Sequence, residues 1–124
     1  MLEARGRDLP DLFSSCILAL FSLLVDRRTV RGEEVRAVEG AGETAEEQLF
    51  SLLREALLLF AVDKFLARSA RVTMEGKRVT LTLAGEPLDP GRHSVAREIK
   101  AVTAHCMSVE RESGGYLARF VVDV

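Results

Sequence analysis

From Leu9 to Val25 the chain carries apolar residues at helical spacing, and there are too many of them for a single face. Leu12, Phe13, Cys16, Ile17, Leu20 and Leu24 recur at the three- and four-residue steps of an amphipathic helix. Leu18, Phe21 and Leu23 widen that face beyond a stripe, so such a helix must be covered on more than one side. Asp8 stands where a helix cap belongs, with Asp11 in the capping-box position three residues on, and both acids suit the positive end of a helix dipole. The uninterrupted apolar run, Cys16 to Val25, is about half the ~20 residues that a membrane span needs. Asp8 and Asp11 precede it, Asp26, Arg27 and Arg28 follow it, and it lacks a small-x-small cleavage site, so it is not a signal-peptide core. The reading is a buried helix, with Cys16 a small core side chain rather than a reactive thiol.

What covers that helix comes later in the chain. Glu33 to Glu39 is a short strand candidate between Gly32 and the Gly40-Ala41-Gly42 break. Thr44 to Glu47 is a capping box, opening a second helix that buries Leu49, Leu53, Ala56, Leu57 and Phe60 and ends near Ala61 to Asp63. The acids Glu43, Glu46 and Glu47 there complement a helix start rather than bind a metal. Arg71 to Glu75 and Arg78 to Ala84 alternate apolar and polar residues around Gly76-Lys77, which makes a hairpin. Gly85 to His93 holds two prolines and two glycines and reads as loop. Ile99 to Glu110 is a long strand, and Gly114-Gly115 turns the chain into a last strand from Tyr116 to Val122. Two helices followed by paired strands, without βαβ alternation, predict an α+β fold: a mixed, largely antiparallel sheet arrangement with two amphipathic helices packed against it. At 124 residues the chain fits one domain, 1–124.

Composition limits the functions available. Seventeen basic and 19 acidic residues leave a net charge of −2, so the domain as a whole does not attract nucleic acid, although a local basic stripe is compatible with it. Trp is absent and Tyr116 is the sole tyrosine, which disfavours a base-stacking platform. The two cysteines, Cys16 and Cys106, show no CxxC spacing, so a zinc ribbon or redox motif is not expected and a reduced, cytoplasmic protein is.

Few residues suggest chemistry. His93 and His105 are the only histidines, neither at a metal-ligand spacing, and no GxSxG or phosphate-binding loop occurs. His93 either fixes its loop through a hydrogen bond or has a catalytic role. His105, by strand alternation, shares a face with Ile99, Ala101, Thr103 and Met107 and reads as a structural histidine. Lys100 points to the opposite, apolar face with Val102, Ala104 and Cys106, so it either sits near the strand end or pairs with an acid such as Glu86 or Glu98. The chain finishes with Asp123-Val124 directly out of a strand, which holds two hard oxygen groups, the Asp123 side chain and the terminal carboxylate, of the type that Ca²⁺, Mg²⁺ or Mn²⁺ prefers.

The stretch from Gly85-Glu86-Pro87-Leu88-Asp89 through His93 to Glu98-Ile99-Lys100-Ala101-Val102-Thr103-Ala104-His105 resembles the archease family's GE-x-L-D…H…E-(I/V)-K-A-(I/V)-T-x-H pattern. The Leu9 to Phe13 helix start, the Leu49 to Leu59 helix and the closing Val122-Asp123-Val124 follow in the family's order, so the resemblance spans nearly the whole chain. It implies an archease-like fold and a non-catalytic partner of the RNA-splicing ligase RtcB, one that promotes guanylylation of the ligase and its multiple turnover. It also implies a divalent metal, calcium first and Mg²⁺ or Mn²⁺ as alternatives, with Asp123 and Val124 carried over as ligands. Direct nucleic-acid binding and membrane association are not part of what it implies. The family's N-terminal H-T-A-D stretch, which supplies a further aspartate ligand, is missing: Met1 to Gly6 match the residues just after it, and a second acidic position often found at the start of helix two is Thr44 here. The preferred reading is a start lying downstream of the true one, with Leu2 to Arg5 the tail of a longer strand; loss of the metal function is the alternative, and weak metal binding is expected. Two other functions compete: a metal-dependent hydrolase or nuclease using Asp123 with His93 and His105, which requires the three to converge, and a plain interaction or chaperone-like module.

Overall fold

A computed structural model of the protein describes residues 1–124. Strand β1 (Leu2–Gly6) leads into helix α1 (Leu9–Leu24), a 3-10 turn (Arg27–Thr29), β2 (Glu34–Ala41) and helix α2 (Ala45–Asp63). Strands β3 (Phe65–Glu75), β4 (Arg78–Pro87), β5 (Ala101–Glu112) and β6 (Gly115–Asp123) complete it. They form two three-stranded sheets, ordered β1-β6-β5 and β2-β4-β3, and every pairing is antiparallel.

The helix ends are built as the sequence predicts. Asp8 accepts the Asp11 N–H at 2.9 Å while Asp11 Oδ2 accepts the Arg7 N–H at 2.9 Å, a reciprocal box that satisfies two orphan donors. Thr44 accepts the Glu47 N–H at 3.1 Å, and Glu47 reaches back to the Glu43 N–H at 3.4 Å. Lys64, at φ 56°, takes the left-handed conformation that stops α2.

The excess apolar width of α1 has its explanation in the layers. The helix touches β3 of one sheet, β1 and β6 of the other, and α2. Helix α2 likewise reaches β2 in one sheet and β5 in the other. One contiguous cluster of 22 buried apolar residues therefore draws on both helices and both sheets, with Phe13, Phe21, Phe65 and Phe120 among its largest members. Each helix serves two sheets.

Strands β3 and β4 run further than expected, each for a local reason. Strand β3 starts six residues before Arg71, at Phe65. Phe65, Leu66 and Ala67 are all buried, and the pairing shifts between Ala67 and Ser69, so Arg68 is a bulge that breaks the two-residue period. Strand β4 continues through Gly85, Glu86 and Pro87, which composition assigned to a loop. Gly85 lies in the central strand opposite Glu34 and Ala67, and a Cβ there would sit 1.9 Å from the Leu66 carbonyl oxygen. The glycine permits close backbone approach rather than a turn, and Pro87 is tolerated as the strand's last residue.

Strand β5 carries the largest irregularity. Thr103 pairs with Val121 and Ser108 with Arg119, so five steps on β5 match two on β6 and three extra residues bulge outward. Cys106 has φ 64° there, and Ala104, His105 and Cys106 are exposed. The strict alternation that put His105 on one face and Ala104 and Cys106 on an apolar one is lost.

Gly85→Ala is expected to lower the unfolding free energy by more than about 2 kcal/mol, because backbone must move to admit the methyl. Gly76→Ala, at φ 63° with open space around it, should cost about 1 kcal/mol. Urea unfolding of the two variants checks the difference; equal stabilities would contradict the close approach at Gly85.

Candidate functional site

The chain's two ends meet at one edge of the β1-β6-β5 sheet. Leu2 pairs with Phe120, and Asp123, three residues further along β6, pairs with Ala101 at the start of β5. The Lys100 N–H donates to the Asp123 carbonyl at 2.7 Å, which holds the last turn of the ladder shut. Asp123 and Val124 are exposed, and the Asp123 side chain makes neither a hydrogen bond nor an ion pair within the chain. Asp123, the last residue of β6, thus presents its carboxylate to solvent from a paired strand, with Val124 just beyond it.

They do not make a cation cage by themselves. Ca²⁺ takes six to eight oxygen ligands. No three His, Cys, Asp or Glu side chains converge at metal-ligating distance anywhere in the fold, so Asp123 and Val124 are at most part of a donor set. The same fact dismantles the constellation of Asp123, His93 and His105 required for hydrolysis. His105 lies exposed in the β5 bulge, where its own N–H donates to Thr103 Oγ1 at 3.1 Å.

His93 is elsewhere and fully committed. Its side chain is buried; Nδ1 accepts the Asp89 N–H at 2.8 Å, so the proton sits on Nε2, which donates to Glu86 Oε2 at 3.1 Å. Of the two roles open to this residue, it takes the loop-fixing one. Glu86 is the hub: besides His93, it accepts the Arg31 N–H at 2.6 Å and a two-pronged grip from Arg92 on both carboxylate oxygens. The Arg92 guanidinium foremost, with the Arg31 N–H and His93 adding to it against the cost of burial, holds the Glu86 carboxyl down at about 2. Glu86 therefore does not pair with Lys100, and Lys100 is exposed beyond the strand end without any acidic partner.

The hub was not visible in the sequence as a hub. The signal available was an acid, an arginine and a histidine within eight positions of a proline- and glycine-rich stretch, Glu86, Arg92 and His93; the Arg31 contribution, by a backbone N–H from 55 residues away, left none. Cys16 behaves as the composition suggested: it is buried and its thiol is pushed up to about 12 by desolvation.

Glu86 titrates at about 2 in the folded chain against an ordinary 4.5, so the unfolded chain takes up this proton first as pH falls. Its stabilisation is complete above about pH 4.5 and is lost as pH drops toward 2. Glu86→Gln should flatten the acid limb of stability over that window and lower stability at neutral pH, as urea midpoints measured against pH will report. A thiol reagent applied to the native chain should modify exposed Cys106 and spare Cys16, read by mass spectrometry after digestion.

With this geometry in hand, the comparisons with known proteins are informative. The Archease protein family (MTH1598/TM1083) model matches residues 1–124. The chain is 33% identical to the protein archease of Pyrococcus abyssi over 128 aligned positions, covering 99% of this chain and 90% of that one. It is 38% identical to the protein archease of Methanopyrus kandleri, covering 92% and 84%. The solution structure of Methanobacterium thermoautotrophicum protein 1598 superposes with a TM-score of 0.84 at 29% identity, over 98% of this chain and 89% of that one. The crystal structure of a Thermotoga maritima protein, described as an archease and possible chaperone, shares the fold at TM-score 0.72 and 19% identity, over 99% and 88%. A family match along every residue, curated relatives above 30% identity and the same two-sheet, two-helix architecture place this chain in the archease protein family.

Proposed function

We propose that this chain is a non-catalytic accessory protein of the RNA-splicing ligase RtcB, promoting guanylylation of the ligase and its repeated turnover in the cytoplasm. The observation that carries this reading is the archease family match over residues 1–124, in which the Gly85 to His105 stretch is the most specific part. Two features of the fold support it. His93, the histidine in that stretch, is occupied in holding a loop, which suits a protein that acts by contact. Asp123 is displayed at the end of the paired central strand β6 with no side-chain partner in its own chain, which suits a carboxylate offered to another protein. The net charge of −2 favours contact with the ligase rather than with its RNA. No helix is long and apolar enough to cross a membrane.

A divalent ion, calcium or else Mg²⁺ or Mn²⁺, would find only Asp123 and Val124 on this chain. Such an ion would supply positive charge at the edge, and the chain's own contribution is to keep the two oxygen groups in place. Calcium titration followed by calorimetry should give a dissociation constant of about 1 mM or weaker, and Asp123→Ala should abolish the signal.

The test of function is a ligation assay with substrate in excess over RtcB. Stoichiometric addition of this chain should carry product beyond a single equivalent per ligase and raise the guanylylated fraction, and Asp123→Ala should remove most of that gain. A second reading, an interaction or chaperone-like module, is favoured by the exposed Leu58 and Val62 on α2. Suppressed aggregation of an unrelated unfolded protein, with no change in ligation, would favour it over activation.

A further inference from the structure

Helix α2 leaves part of itself uncovered. Leu58 is 52% exposed and Val62 70%, one turn apart on the outward side of the helix. They form a short apolar ridge with a groove on each flank. One groove, about 320 Å³, runs between the helix and the start of β5, where Leu58 and Ala61 face Ile99 and Val102. The other, about 220 Å³, lies toward β2, where Leu58 and Val62 face Val38.

The charges on the two flanks differ in sign. Arg54 and Lys100 border the β5 groove, and neither pairs with a carboxylate in this chain. Glu55 and Asp63 border the β2 groove, and neither pairs with a cation. Elsewhere on the surface Glu3 is paired with Arg119, Glu39 with Arg78, Glu43 with Lys77 and Asp26 with Arg28. An apolar ridge between an unpaired basic flank and an unpaired acidic flank specifies what fits it. The complement is an amphipathic segment with an apolar stripe, carboxylates along one side and lysines or arginines along the other.

Two observations indicate a helix as that segment. Residues 58 and 62 sit at the i, i+4 step that makes a ridge for packing into a facing helix. The neighbouring edge of β5 is broken by its three-residue bulge, so no continuous backbone ladder is on offer to a strand. The groove also adjoins Asp123, since Lys100 N–H bonds its carbonyl and Ala101 is its ladder partner. A partner seated on α2 is thereby brought alongside the exposed Asp123.

We infer that the α2 ridge with its β5 groove is the surface on which the ligase docks, through an amphipathic helix whose carboxylates meet Arg54 and Lys100; this rests on the ligase reading above. A second copy of this chain is the alternative occupant.

The experiment measures RtcB binding by fluorescence anisotropy of the labelled chain, alongside ligation turnover and thermal unfolding. Leu58→Glu, exposed enough to leave folding intact, should weaken binding by at least about tenfold and reduce turnover in parallel. Lys100→Glu should slow association and shrink its salt dependence, because a rim charge acts mainly on encounter. If the unaltered chain binds and Leu58→Glu with Val62→Glu binds and activates equally well, the docking surface is overturned and the ligase reading stands. If the unaltered chain does not bind RtcB at all, both fall. Self-association abolished by Leu58→Glu while ligase binding persists would assign the ridge to a second copy and overturn the proposal.

Discussion

The Glu86 carboxylate decides how the two sheets are joined. Between the end of β4 and the start of β5 the chain crosses from one sheet to the other through residues 88–100, with neither helix nor strand to stiffen it. It is pinned by hydrogen bonds instead. Glu86 grips Arg92 and His93 from below, the Ala96 N–H reaches the Leu24 carbonyl at the end of α1, and the Lys100 N–H closes on Asp123. A near-buried anion must be matched by donors or it destabilises the fold, and here two of the residues that match it, Arg92 and His93, lie on that segment, while the Arg31 N–H comes from the stretch before β2. Beyond that crossing, the β5–β6 ladder and the Lys100 N–H hold the end of β6 that displays Asp123.

Both helices are shared between the two sheets, so the sheets cannot be separated energetically. Phe120 of β6 and Leu83 of β4 belong to the same apolar cluster although their strands never pair. The arrangement leaves little of α1 uncovered, while α2 keeps an outward side at its C-terminal half. The exposed edge with Asp123, the unpartnered Lys100 and the α2 ridge then fall on adjoining parts of one surface, which fits a protein that works by being bound.

Much of this was legible in the residues. Capping boxes at Asp8 and Thr44 located both helices, because a cap is a local device whose partners lie three residues away. The hairpin at Gly76 and the pairing of Leu2 to Arg5 as strand were equally readable. What misled was the assumption that glycine and proline mean loop and that alternation continues through a strand. Gly85 serves a close approach to the Leu66 carbonyl from a neighbouring strand, a constraint no local pattern records. The bulge in β5 turned His105 and Cys106 outward against a period that looked continuous. Lys100 takes the strand-end place, one of the two open to it, and the partners of Glu86 are a nearby arginine, a histidine and a distant backbone amide. Asp123 was found because a strand ending the chain is unusual, but its surroundings depend on which strand lies beside it.

The bulge in β5 bears on how this protein coexists with other chains at high concentration. An outermost strand with an unbroken row of amide and carbonyl groups is a template onto which a second molecule can add, and a third onto that. Displacing Ala104 to Cys106 out of line, at the cost of a left-handed Cys106, interrupts that row near its middle. The rim of the sheet next to Asp123 is therefore a poor seed for fibre growth, and the protein can keep an apolar helix face open beside it without inviting its own stacking.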